Sequence, residues 1–307
     1  LKEYVADQYA LFERNENYWG EKPNFRYMKA VVIPDVNTAA IALKAGEIDV
    51  MTDSTQITAD MYKEMEAAGF KTEAAPTTSI SSLNINTGGE ITGDVNVRLA
   101  LEYATDNTAI SEGIFGGLQK PATSYFSTDI PYTNVGIAPY SYDPDKANVI
   151  LDEAGWVYEG DNQVRSKDGK SLELDLIYDA SVTNDRDIAL ILQSQYAQVG
   201  IQLNIVPQDS QIYRQNWAAG EFGVLIYSSW GGSYEPYATL AAMATDGDKF
   251  NTVQKGMKSK PELDDIMLDC LTQEDPEMLQ ENFNYKRVLL GRVSVMEVYK
   301  LMEEFGD

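Results

Sequence analysis

The middle of the chain alternates between helical and strand-like hydrophobic patterns, and this alternation restricts the fold more than any other feature. Strand-like runs at residues 172–178, 201–206 and 222–227 are separated by stretches at 188–199 and 211–219 with helical spacing of apolar side chains. The order β-α-β-α-β is typical of a parallel sheet covered by helices. Ligands of such sheets bind beside the carboxyl ends of the strands, so functional residues are expected there.

Residues near the start of the chain predict a smaller α/β element. Residues 28–33 are strand-like, and residues 37–45 place small and apolar side chains on one helical face. Gly46 stands where a helix commonly ends in the left-handed conformation. A second strand-like run follows at residues 48–51. Together these segments predict a compact βαβ unit.

Polar residues mark the boundaries of the alternating region. Asp143 followed by Pro144 is typical of a helix N-terminus, because aspartate accepts free amide hydrogens and proline needs no amide donor in the first turn. Asp168-Gly169 predicts the turn of a β-hairpin. The preceding stretch, residues 118–142, is rich in Pro, Thr, Ser and Tyr and weakly periodic, which predicts a connection between two domains.

The sequence contains no histidine and a single cysteine, Cys270. These counts exclude from this chain the Ser-His-Asp and Cys-His nucleophile systems, zinc sites built on His or several Cys, and an internal disulfide. The 48 acidic residues outnumber the 24 basic ones, and the net charge of −24 repels nucleic-acid phosphates and anionic lipids. We therefore expect no nucleic-acid partner.

An aromatic, glycine-rich segment at residues 228–237 is a candidate ligand contact. It directly follows the strand-like run 222–227, so Trp230 and Tyr234 stand at a predicted strand end, where they can form an aromatic wall of a cleft. The alternative interpretation is that Trp230 covers a hydrophobic core.

Neighbouring carboxylates leave an enzymatic alternative open. Acidic residues stand close together at Asp246 and Asp248 and at Asp264 and Asp265. Two carboxylates about 5–9 Å apart in one cleft would suit a glycoside hydrolase. With 48 acidic residues in the chain, however, such neighbours arise by chance and are expected on the solvated surface.

The sequence predicts no membrane-spanning helix, because it contains no run of about 18 apolar residues. It starts at Leu1, without Met and without the charged and apolar regions of a signal peptide. This start predicts either a removed leader or a fragment of a longer protein.

Several segments, read together, resemble the family 5 extracellular solute-binding proteins of ABC importers, which carry peptides, nickel and related solutes. They are residues 12–23 (FERNENYWGEKP), 32–38 (VIPDVNT) with 45–49 (AGEID), 97–104 (VRLALEYA), 142–147 (YDPDKA) with 151–156, and 222–226 with Trp230-Gly231. The resemblance extends over about residues 1–280 in unbroken order. The sequence of residues 14–23 and 131–136 is most similar to that of the nickel-binding branch.

This resemblance implies an α/β, two-lobed periplasmic-binding-protein-like fold (type II, cluster C). It implies that residues 1–117 are part of the first lobe and residues 118–282 form the second. Residues 283–307 differ from the family continuation and are unassigned or return towards the first lobe. The N-terminal part of the first lobe, with its signal peptide and lipid-attachment cysteine, is expected to be absent, which makes this chain a fragment.

The resemblance further implies a receptor without a cofactor rather than an enzyme. The expected function is to capture nickel as a chelate outside the cytoplasm and to deliver it to ABC permease and ATPase subunits by cleft closure. A dipeptide or oligopeptide receptor is the alternative. The expected receptor is a monomer in the periplasm, or a cell-surface lipoprotein held to the membrane only by a lipid anchor outside this chain.

Three aromatic residues, Trp230, Tyr234 and Tyr213, match positions that line the cleft of the nickel-binding branch, so the resemblance implies that they contact the ligand. In that branch a cleft histidine helps to hold the metal, in a loop that corresponds to residues 244–250. Here this loop reads Ala-Thr-Asp-Gly-Asp-Lys-Phe. No metal ligand is therefore assigned in this chain, and a nickel chelate would bring most of its donors from the chelator.

Overall fold

The computed structural model describes residues 1–52, 57–74, 79–122, 126–127, 130–134, 140–229 and 236–291, with the backbone alone for Lys249 and residues 285–291. The chain divides into two compact units, residues 1–58 and 59–307. Within the described segments, no helix is both long and apolar enough to cross a membrane.

The first unit is built on a three-stranded antiparallel sheet. Its strands β1 (Glu3–Val5), β2 (Tyr9–Glu13) and β3 (Tyr27–Val31) are neighbours in sequence and in the sheet. Helix α1 (Val36–Ala45) follows them. The predicted βαβ unit is therefore wrong, since residues 48–51 form no strand. A strand persists only where a neighbour completes its backbone hydrogen bonds, and a four-residue apolar run does not specify such a neighbour.

The predicted end of α1 at Gly46 is confirmed, and the helix starts at Val36, one residue before the predicted start. The Asp35 carboxylate accepts a hydrogen bond from the backbone N–H of Thr38 at 2.8 Å, which satisfies one of the free amides of the first turn. At the other end Gly46 has φ 73° and donates its N–H to the carbonyls of Ala42 and Leu43. Glycine adopts this left-handed conformation without the steric cost that a side chain would add.

The second unit contains a central sheet, a small hairpin sheet and helices packed around them. Its described elements in chain order are α2 (Ala59–Ala67), β4 (Ser81–Ile85), α3 (Val95–Ala104), α4 (Asn107–Phe115), α5 (Pro144–Glu153), β5 (Val157–Tyr158), β6 (Arg165–Lys167), β7 (Lys170–Ser171), β8 (Glu173–Asp179), α6 (Asp185–Ala197), β9 (Gln202–Gln208), α7 (Ser210–Ala219), β10 (Val224–Ser228), α8 (Tyr237–Ala244), α9 (Lys249–Thr252), α10 (Lys260–Thr272) and α11 (Pro276–Gly291).

The central sheet has the strand order β4-β10-β8-β9. Strand β8 is parallel to both β9 and β10, and the crossover helices α6 and α7 connect the three strands in the order β8-α6-β9-α7-β10. This arrangement confirms the predicted β-α-β-α-β region. Strand β4 is antiparallel to β10, so its first residue, Ser81, lies opposite the last residue of β10, Ser228.

A continuous hydrophobic core joins the central sheet to α3, α5 and α6. Its fully buried members include Val97, Leu101, Ala147, Leu151, Leu176, Ala189, Leu192, Tyr196 and Val224. A separate cluster forms among the later helices and contains Leu240, Met243, Phe250, Leu263, Met267, Cys270, Leu279 and Phe283. Cys270 is completely buried there.

The compact units divide after Thr58, whereas the predicted lobe boundary falls after residue 117. In the structure β4 pairs with β10, and α3 packs in the core of the second unit. The division into lobes at residues 1–117, 118–282 and 283–307 stays a prediction.

Candidate functional site

The last residues of β8, β9 and β10, which are Asp179, Gln208 and Ser228, lie at one edge of the central sheet. We call this the carboxyl edge. Helices α6 and α7 start shortly after β8 and β9, so their first turns belong to the same edge. Asp209 caps α7 by accepting a hydrogen bond from the backbone N–H of Gln211 at 2.9 Å. The carboxyl edge is thus rich in carboxyl, amide and hydroxyl groups.

Asp179 is fixed at the carboxyl edge by hydroxyl and amide donors. Its Oδ1 atom accepts hydrogen bonds from the Ser181 N–H at 2.9 Å, the Ser181 hydroxyl at 2.7 Å and the Ser210 hydroxyl at 2.9 Å. Burial alone would raise the pKa of Asp179, but these hydrogen bonds and the positive charge of Arg214 outweigh it and lower the pKa below its usual value. Asp179 is therefore a fixed negative charge.

Asp185, in the first turn of α6, has the opposite character. It is only 9% exposed, and in the described part of the chain no hydrogen bond or ion pair to it is found. Burial, and to a lesser extent the negative charge of Asp179, raises the pKa of Asp185 to about 7. The carboxyl edge therefore holds two carboxyl groups with very different affinities for a proton.

Tyr213 of α7 is buried close to the carboxyl edge, beside the last residues of β10. It is 2% exposed, and its hydroxyl donates a hydrogen bond to the Ile226 carbonyl at 2.5 Å. Its ring meets that of Trp217 edge to face, with 5.5 Å between centroids. The hydroxyl is thus engaged within the fold, and the contact of Tyr213 with a ligand stays a prediction.

Trp230 and Tyr234 lie outside the described residues, so their assignment to a ligand site also stays a prediction. The chain leading to them is anchored at the carboxyl edge. The Ser229 hydroxyl accepts a hydrogen bond from the Ile80 N–H at 2.9 Å, and the Ser79 hydroxyl donates to the Ser229 carbonyl at 2.6 Å. Next to them the Ser81 and Ser228 hydroxyls lie 2.7 Å apart.

Both aspartates of the loop at residues 244–250 are engaged by other groups of the chain. Asp246 forms an ion pair with Lys255 at 2.9 Å, and Asp248 accepts a hydrogen bond from the Phe250 N–H at 2.9 Å. Asp264 likewise pairs with Lys260. Across the described segments, no group of three or more Asp, Glu or Cys side chains is arranged to hold a metal ion.

Asp179, Asp185 and Ser210 were not singled out by the sequence patterns. A signal for Asp179 existed, since it is the first acidic residue after the apolar part of a strand in a parallel sheet. No comparable signal existed for Asp185, because its burial depends on how α6 packs against the sheet.

Comparison with known proteins adds to this geometry. A sequence profile described as "Bacterial extracellular solute-binding proteins, family 5 Middle" matches residues 1–251. The chain belongs to this family. Family 5 proteins are transport receptors rather than enzymes, and the glycoside hydrolase alternative finds no support in the matches.

The relatives of this family 5 chain include both nickel-binding and peptide-binding proteins. The nickel-binding periplasmic protein of Escherichia coli (strain K12) is 30% identical over 302 residues, which is 97% of this chain and 57% of that protein. The dipeptide-binding protein of the same organism is 26% identical over 251 residues, covering 80% of this chain and 44% of that protein. The chain thus spans about half the length of these relatives.

Solved structures support the same family fold. NikA from Brucella suis in complex with Fe(III)-EDTA superposes with a TM-score of 0.91 at 30% identity, over 96% of this chain and 60% of that chain. The oligopeptide-binding protein AppA from Bacillus subtilis, in complex with a nonapeptide, has a TM-score of 0.72 at 23% identity over 95% of this chain and 57% of that chain. The predicted periplasmic-binding-protein fold is confirmed.

Proposed function

We propose that this family 5 chain belongs to the substrate-binding component of an ABC importer that captures nickel as a chelate. The observation that carries the proposal is the likeness to NikA, with its TM-score of 0.91 at 30% identity over 96% of this chain. The nickel-binding relative from Escherichia coli, aligned over 97% of this chain, supports the same ligand.

The proposed mechanism is non-covalent capture. The aromatic rings of Trp230, Tyr234 and Tyr213 supply apolar area around the ligand, while the polar groups of the carboxyl edge orient it. The ligand closes the cleft because it binds the closed arrangement more tightly than the open one. Since this chain holds no histidine, the chelator supplies most of the metal's donors.

A short peptide is the second candidate ligand. The dipeptide-binding relative from Escherichia coli supports it, and so does the chemistry of the carboxyl edge, where Asp179 and Asp185 offer acceptors suited to an ammonium group. Such carboxyl groups repel the carboxylates of an anionic chelator.

The proposed setting follows from this function. The receptor acts outside the cytoplasm as a monomer and passes its ligand to the permease and ATPase subunits of the importer. A lipid anchor outside this chain would hold it to the membrane. Extracytoplasmic delivery requires no cofactor, because no bond is made or broken in the ligand.

The test uses tryptophan fluorescence of the whole protein, titrated separately with a nickel chelate and with a mixture of short peptides. We expect a saturable change with one of them, and Trp230→Ala should weaken that binding by about tenfold or more. Trp19→Ala is the matched control, because Trp19 is 91% exposed in the first unit. No response to either ligand would refute the receptor function. An unchanged affinity of the Trp230→Ala protein would instead favour the alternative interpretation, in which Trp230 covers a hydrophobic core.

A further inference from the structure

Ser166, in the middle strand of the hairpin sheet, carries a buried hydroxyl group that the fold does not use. The sheet has the strand order β5-β6-β7, and Ser166 of β6 pairs with Val157 on one side and with Ser171 on the other. Ser166 is 8% exposed, and its Oγ atom is buried without a hydrogen-bond partner in the part of the chain that the structure describes. Such a hydroxyl has lost its hydrogen bonds to water and destabilises the fold. Its bonding capacity is therefore open to a group from outside the chain.

Ser166 also lines a cavity of about 270 Å³ on the same face of the sheet as Ser171. The lining is mainly polar and acidic and consists of Glu159, Asn162, Gln163, Val164, Ser166, Gly169, Ser171 and Glu173. Among the described residues, no Lys or Arg lines this cavity, and neither Glu159 nor Glu173 has an ion pair or a side-chain hydrogen bond. The cavity thus combines oxygen atoms with two negative charges that the fold leaves unbalanced.

The positive charges of the hairpin sheet are engaged on its other face. Side chains alternate along a strand, so Arg165 and Lys167 point away from the face of Ser166, and Lys170 pairs in register with Lys167. Each of these basic residues has an acidic partner outside the cavity lining: Arg165 with Asp152, Lys167 with Asp94, and Lys170 with Glu90. The neighbouring strands therefore supply no cation to the two glutamates.

The cavity is separate from the carboxyl edge. Glu173 is the first residue of β8 and Asp179 is the last, so about 20 Å of strand lies between them. A small group bound beside Glu173 therefore does not contact a ligand at the carboxyl edge.

We propose that this cavity is a calcium site, with the carboxylates of Glu159 and Glu173 and the hydroxyl of Ser166 among its ligands. Calcium takes about six to eight oxygen ligands in a flexible geometry, and water completes the set where the protein does not. The lining supplies carboxylate, amide and hydroxyl oxygens, but neither the imidazole nor the thiolate that zinc and nickel sites use. Because only two of the ligands carry a charge, the site is a weak one.

The role of the ion is structural. Residues 159–164 connect β5 to β6 and contribute Glu159 to the cavity, whereas Glu173 belongs to the central sheet. An ion held by both carboxylates ties the connection to the central sheet. Since this arrangement exists only in the folded chain, calcium binding stabilises the fold. The site acts independently of the solute that the receptor carries.

The experiment is isothermal titration calorimetry of the whole receptor with calcium chloride, after removal of divalent ions. We expect a Kd of about 0.1–1 mM, the range of extracellular calcium modules. Magnesium chloride should bind at least about tenfold more weakly, because magnesium requires a rigid octahedral site and gives up its water reluctantly. In a thermal scan, calcium at about 10 mM should raise the melting temperature by about 3–10 °C.

Three variants locate the ion. Glu159→Gln and Glu173→Gln keep the size of the side chain and should each weaken calcium binding by about tenfold or more. Ser166→Ala should weaken it by about threefold, yet leave the melting temperature without calcium unchanged, because the hydroxyl makes no hydrogen bond in the fold. Glu153→Gln is the matched control, since Glu153 is an exposed glutamate of α5 outside the cavity lining. It should bind calcium like the unmodified protein.

Two results would overturn the calcium site. One is the absence of calcium binding at concentrations up to about 10 mM. The other is an unchanged calcium affinity in the double variant Glu159→Gln, Glu173→Gln, because the ion is then held elsewhere. A magnesium affinity equal to that of calcium would overturn the choice of metal. None of these results bears on the receptor function, which the ligand titrations test separately.

Discussion

Arg165→Ala is the most informative test of how the second unit holds its sheet. The Arg165 side chain is 2% exposed and its guanidinium joins three parts of the chain. It donates to the Val199 carbonyl at 2.8 Å, the Trp156 carbonyl at 2.6 Å, the Asn148 side chain at 2.8 Å and the Asp152 carboxylate at 2.5 Å. Helix α5, the hairpin sheet and the turn before β9 are therefore tied by one side chain.

The expected loss follows from these contacts. Removing the guanidinium leaves the Val199 and Trp156 carbonyls buried without a partner, at about 1–3 kcal/mol each. The ion pair with Asp152 adds little, because Asp152 is 59% exposed and water takes over its charge. Lost packing against the Tyr158 ring, 4.4 Å from the guanidinium carbon, adds to the total. We expect a loss of about 3–5 kcal/mol in the free energy of unfolding.

The measurement is urea unfolding followed by circular dichroism, with a thermal scan beside it. A loss of 3–5 kcal/mol lowers the melting temperature of a unit of this size by roughly 6–20 °C. Arg165→Lys should recover only part of the loss, because an ammonium cannot replace the planar fork of donors. Arg186→Ala, at an exposed position of α6, is the control. A free energy of unfolding for Arg165→Ala within about 0.5 kcal/mol of that of the unmodified protein would refute the reasoning.

Two further predictions concern the carboxyl edge. Tyr213→Phe should lower the free energy of unfolding by about 1–2 kcal/mol, because the Ile226 carbonyl loses its 2.5 Å hydrogen bond. Chemical denaturation that gives the same free energy of unfolding for both proteins would show that this bond does not stabilise the fold. Asp185 has a pKa of about 7 when folded and an ordinary, lower value when unfolded, so the folded state binds the extra proton and stability falls as pH rises from about 4 to 7. This decline in the free energy of unfolding amounts to about 4 kcal/mol at most, and Asp185→Asn should remove it. If the free energy of unfolding depends on pH in the same way in both proteins, the prediction is contradicted.

Local signals predicted most element boundaries correctly because capping is a short-range effect. Asp143 caps α5 by accepting a hydrogen bond from the Lys146 N–H at 2.9 Å, and Gly46 ends α1 with a left-handed φ of 73°. The Asp168-Gly169 turn joins β6 to β7 as expected. These residues act within one turn of chain, so their chemistry is visible in a short stretch of sequence.

Pairing between distant segments was not visible in the same way. Strand β4 joins β10 across about 140 residues, and the short run at residues 48–51 resembles a strand without having a neighbour. The burial of Arg165 and Asp185 also depends on packing between separate elements. Periodicity reports which face of an element is apolar, but it does not report which element covers that face.

The carboxyl edge restricts how any ligand can lie against this unit. Anionic groups usually favour the positive N-termini of helices, but α6 carries Asp185 and Asp187 in its first turn, and Asp209 occupies the cap of α7. A chelate with free carboxylates would meet negative charge at both helices, in a chain whose net charge is already −24. We therefore expect the carboxylates of a chelate to be bound by groups outside this edge. If the proposed cleft includes the carboxyl edge, we expect the neutral or cationic side of either candidate ligand to face Asp179 and Asp185.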